Sequence, residues 1–297
     1  MPAIVLCRHG YGPINPASAT PLAGARAGDP ALIWCFDANL TDRSPMLTAD
    51  QIARYHEDGY VIPDFRVPAD VLDSIKARHA ALLAHKPEFR DYCPALIDHD
   101  RDFLGYGRNR DILDMVEQLI GPDIALWNMS FFAKPANDGK RTPWHQDGEY
   151  WPIRPLATCT AWLALDDSTP ENGCLRVIRG SHKERALRRH HKAADKDVTL
   201  TQELDANEFD ESRAADIVLS AGQISLHDVY LLHGSEANTS PKSRRGMTMR
   251  YMPTQSVFDR DVAREKAKNI TTVDHSMRPV FLLRGVDRSG RNSFTAP

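Results

Sequence analysis

The residues most able to do chemistry together are two histidines and one aspartate, which lie in two separated blocks of the sequence. His145 and Asp147 are two positions apart in the run TPWHQDGEYWP. On a β-strand, residues i and i+2 point to the same face, so an imidazole and a carboxylate at this spacing can converge on one ion. His233 follows 88 residues later, in the run LLHGSEANTS. Together the three side chains predict a metal site.

Such a donor set favours a particular kind of metal chemistry. Two histidines and one carboxylate on a six-coordinate iron leave three positions open, as oxygen and a chelating co-substrate require. A structural zinc site would instead fill four positions with protein ligands, usually including cysteine. The five cysteines of this chain form no C-x-x-C pair, which argues against both a zinc site and a disulfide framework.

Other residues support or compete with this interpretation. Arg244, eleven residues after His233, can lie on the next strand and point inward, where its planar guanidinium suits a carboxylate. The run His56-Glu57-Asp58 also has the His-x-Asp spacing, but it falls in the last turn of a predicted helix, where i and i+2 do not share a face. We therefore reject it as a chelator. Taken singly, His233 could be a packing residue and Arg244 a solvated turn residue.

Composition and charge exclude several classes of partner. The 37 basic and 40 acidic residues give a net charge of −3, which produces no field able to collect nucleic acid or anionic lipid. No apolar run approaches the 18 or so residues of a membrane span, and the N-terminus lacks a signal-peptide core. We therefore expect a cytoplasmic protein that binds neither nucleic acid nor membrane.

The first part of the chain predicts an extension followed by helices. Residues 1–45 contain a Pro/Ala/Gly-rich stretch without helical or strand period, which predicts a loosely held extension to a single domain at 46–297. The sequence leaves open whether that extension is a genuine part of the protein. A capping box from Thr48 to Gln51 predicts a helix at 49–58. Apolar spacing predicts two more helices, at 69–85 and 110–120, with His79 as a packing residue of the former.

From Ala125 onward the pattern changes to short strands. They are predicted at 125–134, 143–150, 157–165, 173–178, 216–220, 223–228, 230–233 and 246–252. Eight short strands after a helical lead-in predict a mainly β fold, a double-stranded β-helix (cupin-like jelly roll) with N-terminal helices buttressing one face. The 183–212 segment, first basic and then acidic, is interpreted as an insertion, either a solvated connection or a lid. The tail at 253–297 receives no assignment.

With these residues in view, the chain resembles the phytanoyl-CoA dioxygenase family of iron(II)/2-oxoglutarate-dependent oxygenases. The resemblance runs from about Leu47 to Pro253 and is sharpest in three blocks. They are Trp144-His145-Gln146-Asp147 with Tyr150-Trp151-Pro152; Ala161-Trp162 with Glu171-Asn172-Gly173 and Gly180-Ser181-His182; and His233-Gly234-Ser235 with Asn238 and Arg244-Arg245.

The resemblance implies a role for each matching residue. The implied iron(II) ligands are His145, Asp147 and His233. The implied 2-oxoglutarate contacts are Arg244, Ser235, Gln146, Trp162 and Lys134. Arg244 would pair with the distal carboxylate of 2-oxoglutarate, helped by the Ser235 hydroxyl. Because adjacent strand residues face opposite ways, only one of Arg244 and Arg245 should point inward, and we expect Arg244. His227 is expected to have no part in the site.

The acid at position 147 favours hydroxylation, so the resemblance implies that O2 and 2-oxoglutarate hydroxylate a small-molecule substrate, with release of succinate and CO2. Two alternatives share the fold: a jelly-roll protein that binds or senses a metal without turnover, and a cupin-type metal-dependent isomerase that consumes no oxygen. A carboxylate anchor at Arg244 and Ser235 would favour the oxygenase, because a mere metal site needs none. Tyr150, Trp151 and Arg154 could line a substrate mouth or pack its rim. The sequence identifies neither the substrate nor the oligomeric state.

Overall fold

The computed structural model describes residues 46–269 and 274–296. The predicted N-terminal extension at 1–45 lies outside the described residues. Within these residues, no helix combines the length and the apolar character needed to cross a membrane.

The helices lie mostly ahead of the β core. In the described residues they are α1 (Ala49–Asp58), α2 (Ala69–His85), α3 (Leu96–His99), α4 (Phe103–Gly107), α5 (Arg110–Ile120) and α6 (Arg260–Asn269). The capping box at the start of α1 is present, since the Thr48 side chain accepts from the Gln51 backbone N–H and the Gln51 side chain accepts from the Thr48 N–H. Gly59 ends α1 at φ 87°, a conformation that favours glycine. The three predicted helices are confirmed, and His79 is buried against Phe131 as a packing residue.

Most of the β core follows α5, and the short strands β1 and β2 precede it. The strands of the described residues are β1 (Tyr60–Val61), β2 (Tyr92–Cys93), β3 (Ile124–Lys134), β4 (Thr142–His145), β5 (Ile153–Arg154), β6 (Cys159–Ala164), β7 (Leu175–Ile178), β8 (His190–Lys192), β9 (Gln202–Leu204), β10 (Ala214–Ile217), β11 (Ile224–Asp228), β12 (His233–Ser235), β13 (Arg244–Pro253), β14 (Val257–Phe258) and β15 (Phe281–Arg284).

Two antiparallel sheets carry the site. The larger has the order β1-β11-β6-β13-β3-β15, with β2 also paired to β3, and the smaller has the order β10-β7-β12-β4. Strands distant in sequence are neighbours in both sheets, as a jelly roll requires. The predicted mainly β, double-sheet fold with buttressing helices is confirmed.

The larger sheet separates a helix-facing core from a polar cavity. In β6, Cys159, Ala161 and Leu163 are buried in one apolar core with side chains of α1, α2 and α5. The alternate residues Thr160 and Trp162 face the cavity on the other side of the sheet. β13 alternates in the same way. A slip of one residue would exchange the two faces, so burial against the helices fixes which side chains reach the cavity.

Several predicted boundaries need correction. The strand predicted at 143–150 ends at His145, and residues Asp147–Glu149 form a 3-10 turn. The strands predicted at 216–220 and 230–233 lie instead at β10 and β12. The tail at 253–297, which received no assignment, contains β14, α6 and β15, and β15 pairs with the first half of β3. The 183–212 segment contains the β8–β9 hairpin. β14 and β15 depend on pairing with β5 and β3, which are distant in the sequence, and local sequence patterns do not encode such pairing.

Gly246 of β13 lies against the ring of Trp162, and a Cβ at this position would be 2.1 Å from Trp162 Cζ2. The ring would have to move, so we predict that Gly246→Ala lowers the free energy of unfolding by about 1–3 kcal/mol. Chemical denaturation measures this change. In a Trp162→Leu background the clashing atoms are gone and the same substitution should cost less. An equal cost in both backgrounds would contradict the predicted contact.

Candidate metal centre

The three predicted ligand residues meet at one point between β4 and β12. His145, the last residue of β4, is the cross-strand partner of His233, the first residue of β12, and their ring centroids are 4.1 Å apart. Asp147 Oδ1 lies 3.7 Å from His145 Nε2 and 4.0 Å from His233 Nε2. Gln146 is extended (φ −115°, ψ 129°), so Asp147 stays on the side of His145 although the strand has ended.

One ligand atom from each of these three buried residues lies within 4.8 Å of the others. Among the residues that the structure describes, no other group of three or more His, Cys, Asp or Glu side chains meets this condition. The rejected His56-Glu57-Asp58 run, in the last turn of α1, is not such a group.

Backbone carbonyls orient both imidazoles. His145 Nδ1 lies 2.8 Å from the Pro143 carbonyl oxygen, and His233 Nδ1 lies 2.9 Å from the Leu231 carbonyl oxygen. A carbonyl only accepts, so Nδ1 is the protonated nitrogen of each neutral ring and Nε2 keeps its lone pair. Histidines that bind metals are commonly held by such a hydrogen bond on the far nitrogen. The donor set therefore fits a divalent transition metal.

The electrostatics of the cluster agree with this assignment. Burial by itself would raise the pKa of the Asp147 carboxyl, but the nearby side chains of His145, His227, His233 and Arg250 hold this pKa well below its usual value. Burial, followed by the proximity of His145, holds the pKa of His233 well below its usual value. A carboxylate and a neutral imidazole are the forms in which these residues bind metals.

A small cavity that opens to solvent adjoins the cluster. Six of the eight predicted site residues line it: His145, Asp147, His233, Ser235, Arg244 and Trp162. The cavity thus brings together the three candidate metal ligands, His145, Asp147 and His233, and the predicted carboxylate anchor. We call these three residues the metal-type cluster.

Arg244 is buried in this cavity with 3% exposure. Its Nε and Nη2 donate to the Gly173 carbonyl at 3.1 and 2.5 Å, and Nη2 lies 3.5 Å from Ser235 Oγ. Its Cζ lies 5.3 Å from the Trp162 ring centroid. Burial lowers the pKa of Arg244 to about 10. Within the described ranges it has no acidic partner at salt-bridge distance, and a buried unpaired charge is costly.

Arg245 differs from Arg244 in this respect. Its Nε and Nη2 each lie 2.8 Å from an oxygen of Asp166, so the two side chains form a bidentate ion pair. The expectation that Arg244 is the inward-facing arginine agrees with these contacts. Arg244 is thus placed to receive a carboxylate from outside the chain.

The expectation that Gln146 lines the co-substrate pocket needs correction. Gln146 does not line the cavity. Its amide nitrogen donates to the carbonyls of Ala186 and Tyr230 at 3.0 and 2.8 Å, and its amide oxygen accepts from the Arg188 N–H at 2.7 Å. Because His145 and Asp147 share one side of the chain, the residue between them faces the other. Gln146 therefore ties the 183–212 segment to the ligand-bearing strand.

Lys134 also lies outside the cavity, so the expectation that it contacts the co-substrate is corrected too. It is the cross-strand neighbour of Arg244, and its Nζ donates to the Lys140 carbonyl. Burial and the nearby Arg244 charge lower the pKa of Lys134 to about 6. The side chain is therefore mostly neutral at pH 7.

Seven residues that line the cavity were not expected in the site, and three of them are His227, Arg250 and Thr160. His227 Nε2 lies 3.7 Å from Asp147 Oδ2, which corrects the expectation that His227 has no part in the site. The alternation of side chains along a strand could have indicated Arg250 and Thr160. Arg250 is six residues after Arg244 and Thr160 is two before Trp162, and residues an even number apart share a face. Tyr150 and Trp151 do not line the cavity; Trp151 packs on Trp127.

Comparison with known proteins gives the class of this protein. A model of the phytanoyl-CoA dioxygenase (PhyH) family matches residues 43–246. The match covers more than half of the chain, and the chain belongs to this family.

One relative and two solved structures illustrate what the chain is similar to. A phytanoyl-CoA dioxygenase domain-containing protein 1 homolog of Dictyostelium discoideum is 29% identical over 178 residues, which cover 59% of this chain and 63% of that protein, less than two thirds of its length. The non-heme monooxygenase ThoJ in its apo form matches with a TM-score of 0.63 at 24% identity, over 82% of this chain and 86% of its own. The epimerase SnoN, in complex with Fe3+, alpha ketoglutarate and nogalamycin RO, matches with a TM-score of 0.58 at 21% identity, over 71% of this chain and 85% of its own. The two structures show that the fold is shared.

Removal of one predicted ligand tests the cluster. We predict that Asp147→Ala weakens Ni(II) or anaerobic Fe(II) binding by about 100-fold or more, because loss of a supporting contact alone commonly costs 10- to 100-fold. Isothermal titration calorimetry measures the affinity. Asp58→Ala, which makes the same change in the rejected His-x-Asp run, is the matched control and should bind metal as the unmodified protein does. Unchanged affinity in Asp147→Ala would contradict the ligand assignment.

The lowered pKa of Lys134 predicts how the stability of the protein depends on pH. Its pKa is about 6 in the folded chain, against an ordinary value of 10.5. Between these values the unfolded chain binds more protons, so this lysine makes the protein more stable as pH rises from 6 to 10.5. In Lys134→Met this dependence is absent. The free energy of unfolding of the variant, relative to that of the unmodified protein, should therefore increase as pH falls towards 6.

The free energy of unfolding of both proteins, measured by denaturant titration from pH 6 to 10, tests the Lys134 prediction. Lys242→Met, which removes an exposed lysine, controls for the loss of positive charge. A difference between Lys134→Met and the unmodified protein that stays constant across this range would contradict the prediction.

Proposed function

We propose that this protein is an iron(II)/2-oxoglutarate-dependent dioxygenase that hydroxylates a small-molecule substrate, with release of succinate and CO2. The observation that carries the proposal is the presence, in one cavity, of a two-histidine, one-carboxylate cluster and a buried arginine without an acidic partner in the described residues. Membership of the phytanoyl-CoA dioxygenase family supports the same reaction class. The SnoN structure, solved with Fe3+ and alpha ketoglutarate, supports the choice of metal and co-substrate.

In this proposal, two sets of residues in the cavity bind the metal and the co-substrate. His145, Asp147 and His233 would hold the iron, and Arg244 with Ser235 would bind the distal carboxylate of 2-oxoglutarate. The bound iron supplies activation of O2 coupled to oxidative decarboxylation of 2-oxoglutarate. The chain contributes the fixed ligand geometry, the carboxylate anchor and a cavity whose buried walls limit access of water.

Two alternative functions make different demands on Arg244. A protein that binds or senses a metal without turnover gives no reason to bury an unpaired guanidinium in the same cavity, since burial of an unpaired charge is costly. A cupin-type isomerase would act without oxygen. An anaerobic arm in the assay below separates that function from an oxygenase.

The test is succinate formation from 2-oxoglutarate with added iron(II), run with and without oxygen against a metabolite panel. We predict oxygen-dependent turnover in the unmodified protein. In Arg244→Ala the KM for 2-oxoglutarate should rise about 30-fold or more, since loss of one partner of a buried charged contact costs ~2 kcal/mol or more.

Arg245→Ala is the matched control for this measurement. It removes the neighbouring guanidinium, whose partner is Asp166 on the opposite side of the strand, and should leave the KM for 2-oxoglutarate within about three-fold of the unmodified protein. Oxygen-independent product formation, or equal KM values in the two variants, would contradict the proposed function.

A further inference from the structure

A row of three polar side chains crosses the wall of the cavity on neighbouring strands. Arg250 of β13 is the cross-strand partner of Thr160 of β6, and Thr160 is the partner of His227 of β11. Directly opposed residues on antiparallel strands stand side by side on the same face of the sheet. All three line the cavity, and His227 ends the row beside Asp147.

Each member of this row has a buried polar atom without a hydrogen-bond partner in the part of the chain that the structure describes. These atoms are Arg250 Nε, Thr160 Oγ1 and His227 Nδ1. The three residues are 4%, 1% and 3% exposed. Buried polar atoms in folded proteins are nearly always hydrogen-bonded, so three adjacent exceptions in one cavity indicate a polar group that is supplied by a ligand.

The charge of Arg250 indicates what that group is. Its Nη1 donates to the neutral Ser130 hydroxyl at 2.7 Å, and its Cζ lies 5.1 Å from the Trp151 ring centroid. It has no carboxylate at salt-bridge distance among the described residues, whereas the equally buried Arg278 pairs with Asp98 at 3.0 Å. The nearby acid, Asp147, belongs to the metal-type cluster. Arg250 thus lacks an anion, and its planar N–H groups suit a carboxylate.

Arg250 and Arg244 both line the cavity from β13. They are six residues apart on β13, about 20 Å at the Cα atoms, because a strand rises ~3.4 Å per residue. Ser235, which follows His233 on β12, contacts Arg244, whereas His227 and Asp147 lie at the Arg250 row. Arg244 donates to the Gly173 carbonyl, whereas Arg250 donates to the Ser130 hydroxyl, so the two guanidiniums have different surroundings in the cavity.

We propose that Arg250, with the Thr160 hydroxyl, binds a carboxylate of the substrate, so that this protein acts on a small acid. Both groups donate hydrogen bonds, which suits the two oxygens of a carboxylate. Two interstrand spacings, about 10 Å, separate the backbones of Arg250 and His227, and His227 lies beside Asp147, so the anchored carboxylate would lie on the same wall of the cavity as a neighbour of the cluster. This inference rests on the proposed function, and it predicts that an acyl thioester without a free carboxylate is a poor substrate.

The test uses the full chain loaded with Ni(II), which supports binding without turnover, and compares hexanoate with hexanamide by calorimetry, with and without saturating 2-oxoglutarate. We expect hexanoate to bind at least ten-fold more tightly than hexanamide. This preference should disappear in Arg250→Gln, persist in part in Arg250→Lys, and weaken several-fold in Thr160→Val. The affinity for 2-oxoglutarate should stay within about three-fold in Arg250→Gln.

Each result bears on one of the two proposals. Equal binding of acid and amide by the unmodified protein would overturn the acid site, and this comparison needs no variant to fold. A preference that survives Arg250→Gln would also overturn it, as would a ten-fold loss of 2-oxoglutarate affinity in that variant, which would assign Arg250 to the co-substrate. Failure of the unmodified protein to bind 2-oxoglutarate, with the acid preference intact, would contradict the proposed function and leave the acid site standing.

Discussion

The pairing of β4 with β12 is the constraint on which the rest of the site depends. It sets His145 directly opposite His233, and the extended Gln146 then keeps Asp147 on the same side. Carbonyls of Pro143 and Leu231, two residues before each histidine, fix the rings with Nε2 towards the carboxylate. Any slip in this pairing would separate the three donors, because side chains alternate between the faces of a sheet.

The larger sheet supplies the second half of the site through the same alternation. Adjacent residues of β13 alternate between the helix-facing core and the cavity, so Arg244 and Arg250, an even number of residues apart, reach one space from a single strand. Both guanidiniums share the cavity with the cluster of His145, Asp147 and His233, an arrangement suited to two different acids. Helices on the outer face hold the register by burying the intervening apolar side chains.

Local patterns predicted much of the fold and the core of the site. The capping box at Thr48 located α1, and the His-x-Asp spacing with a distant histidine identified the donors that the structure brings together. Strand parity was also sufficient to exclude Gln146 from the cavity, but the family resemblance had favoured it. His227 was missed for a different reason. Its place beside Asp147 depends on the pairing of β11 with β6, over 60 residues away in the chain, which no local pattern records.

The most direct test of this account is an anaerobic crystal structure of the protein grown with iron(II) and 2-oxoglutarate, with the metal located by its anomalous scattering. We expect an iron peak bound by His145 Nε2, His233 Nε2 and Asp147, and a diacid whose far carboxylate contacts Arg244. An iron peak at another position, or a diacid that leaves Arg244 without a carboxylate, would contradict it.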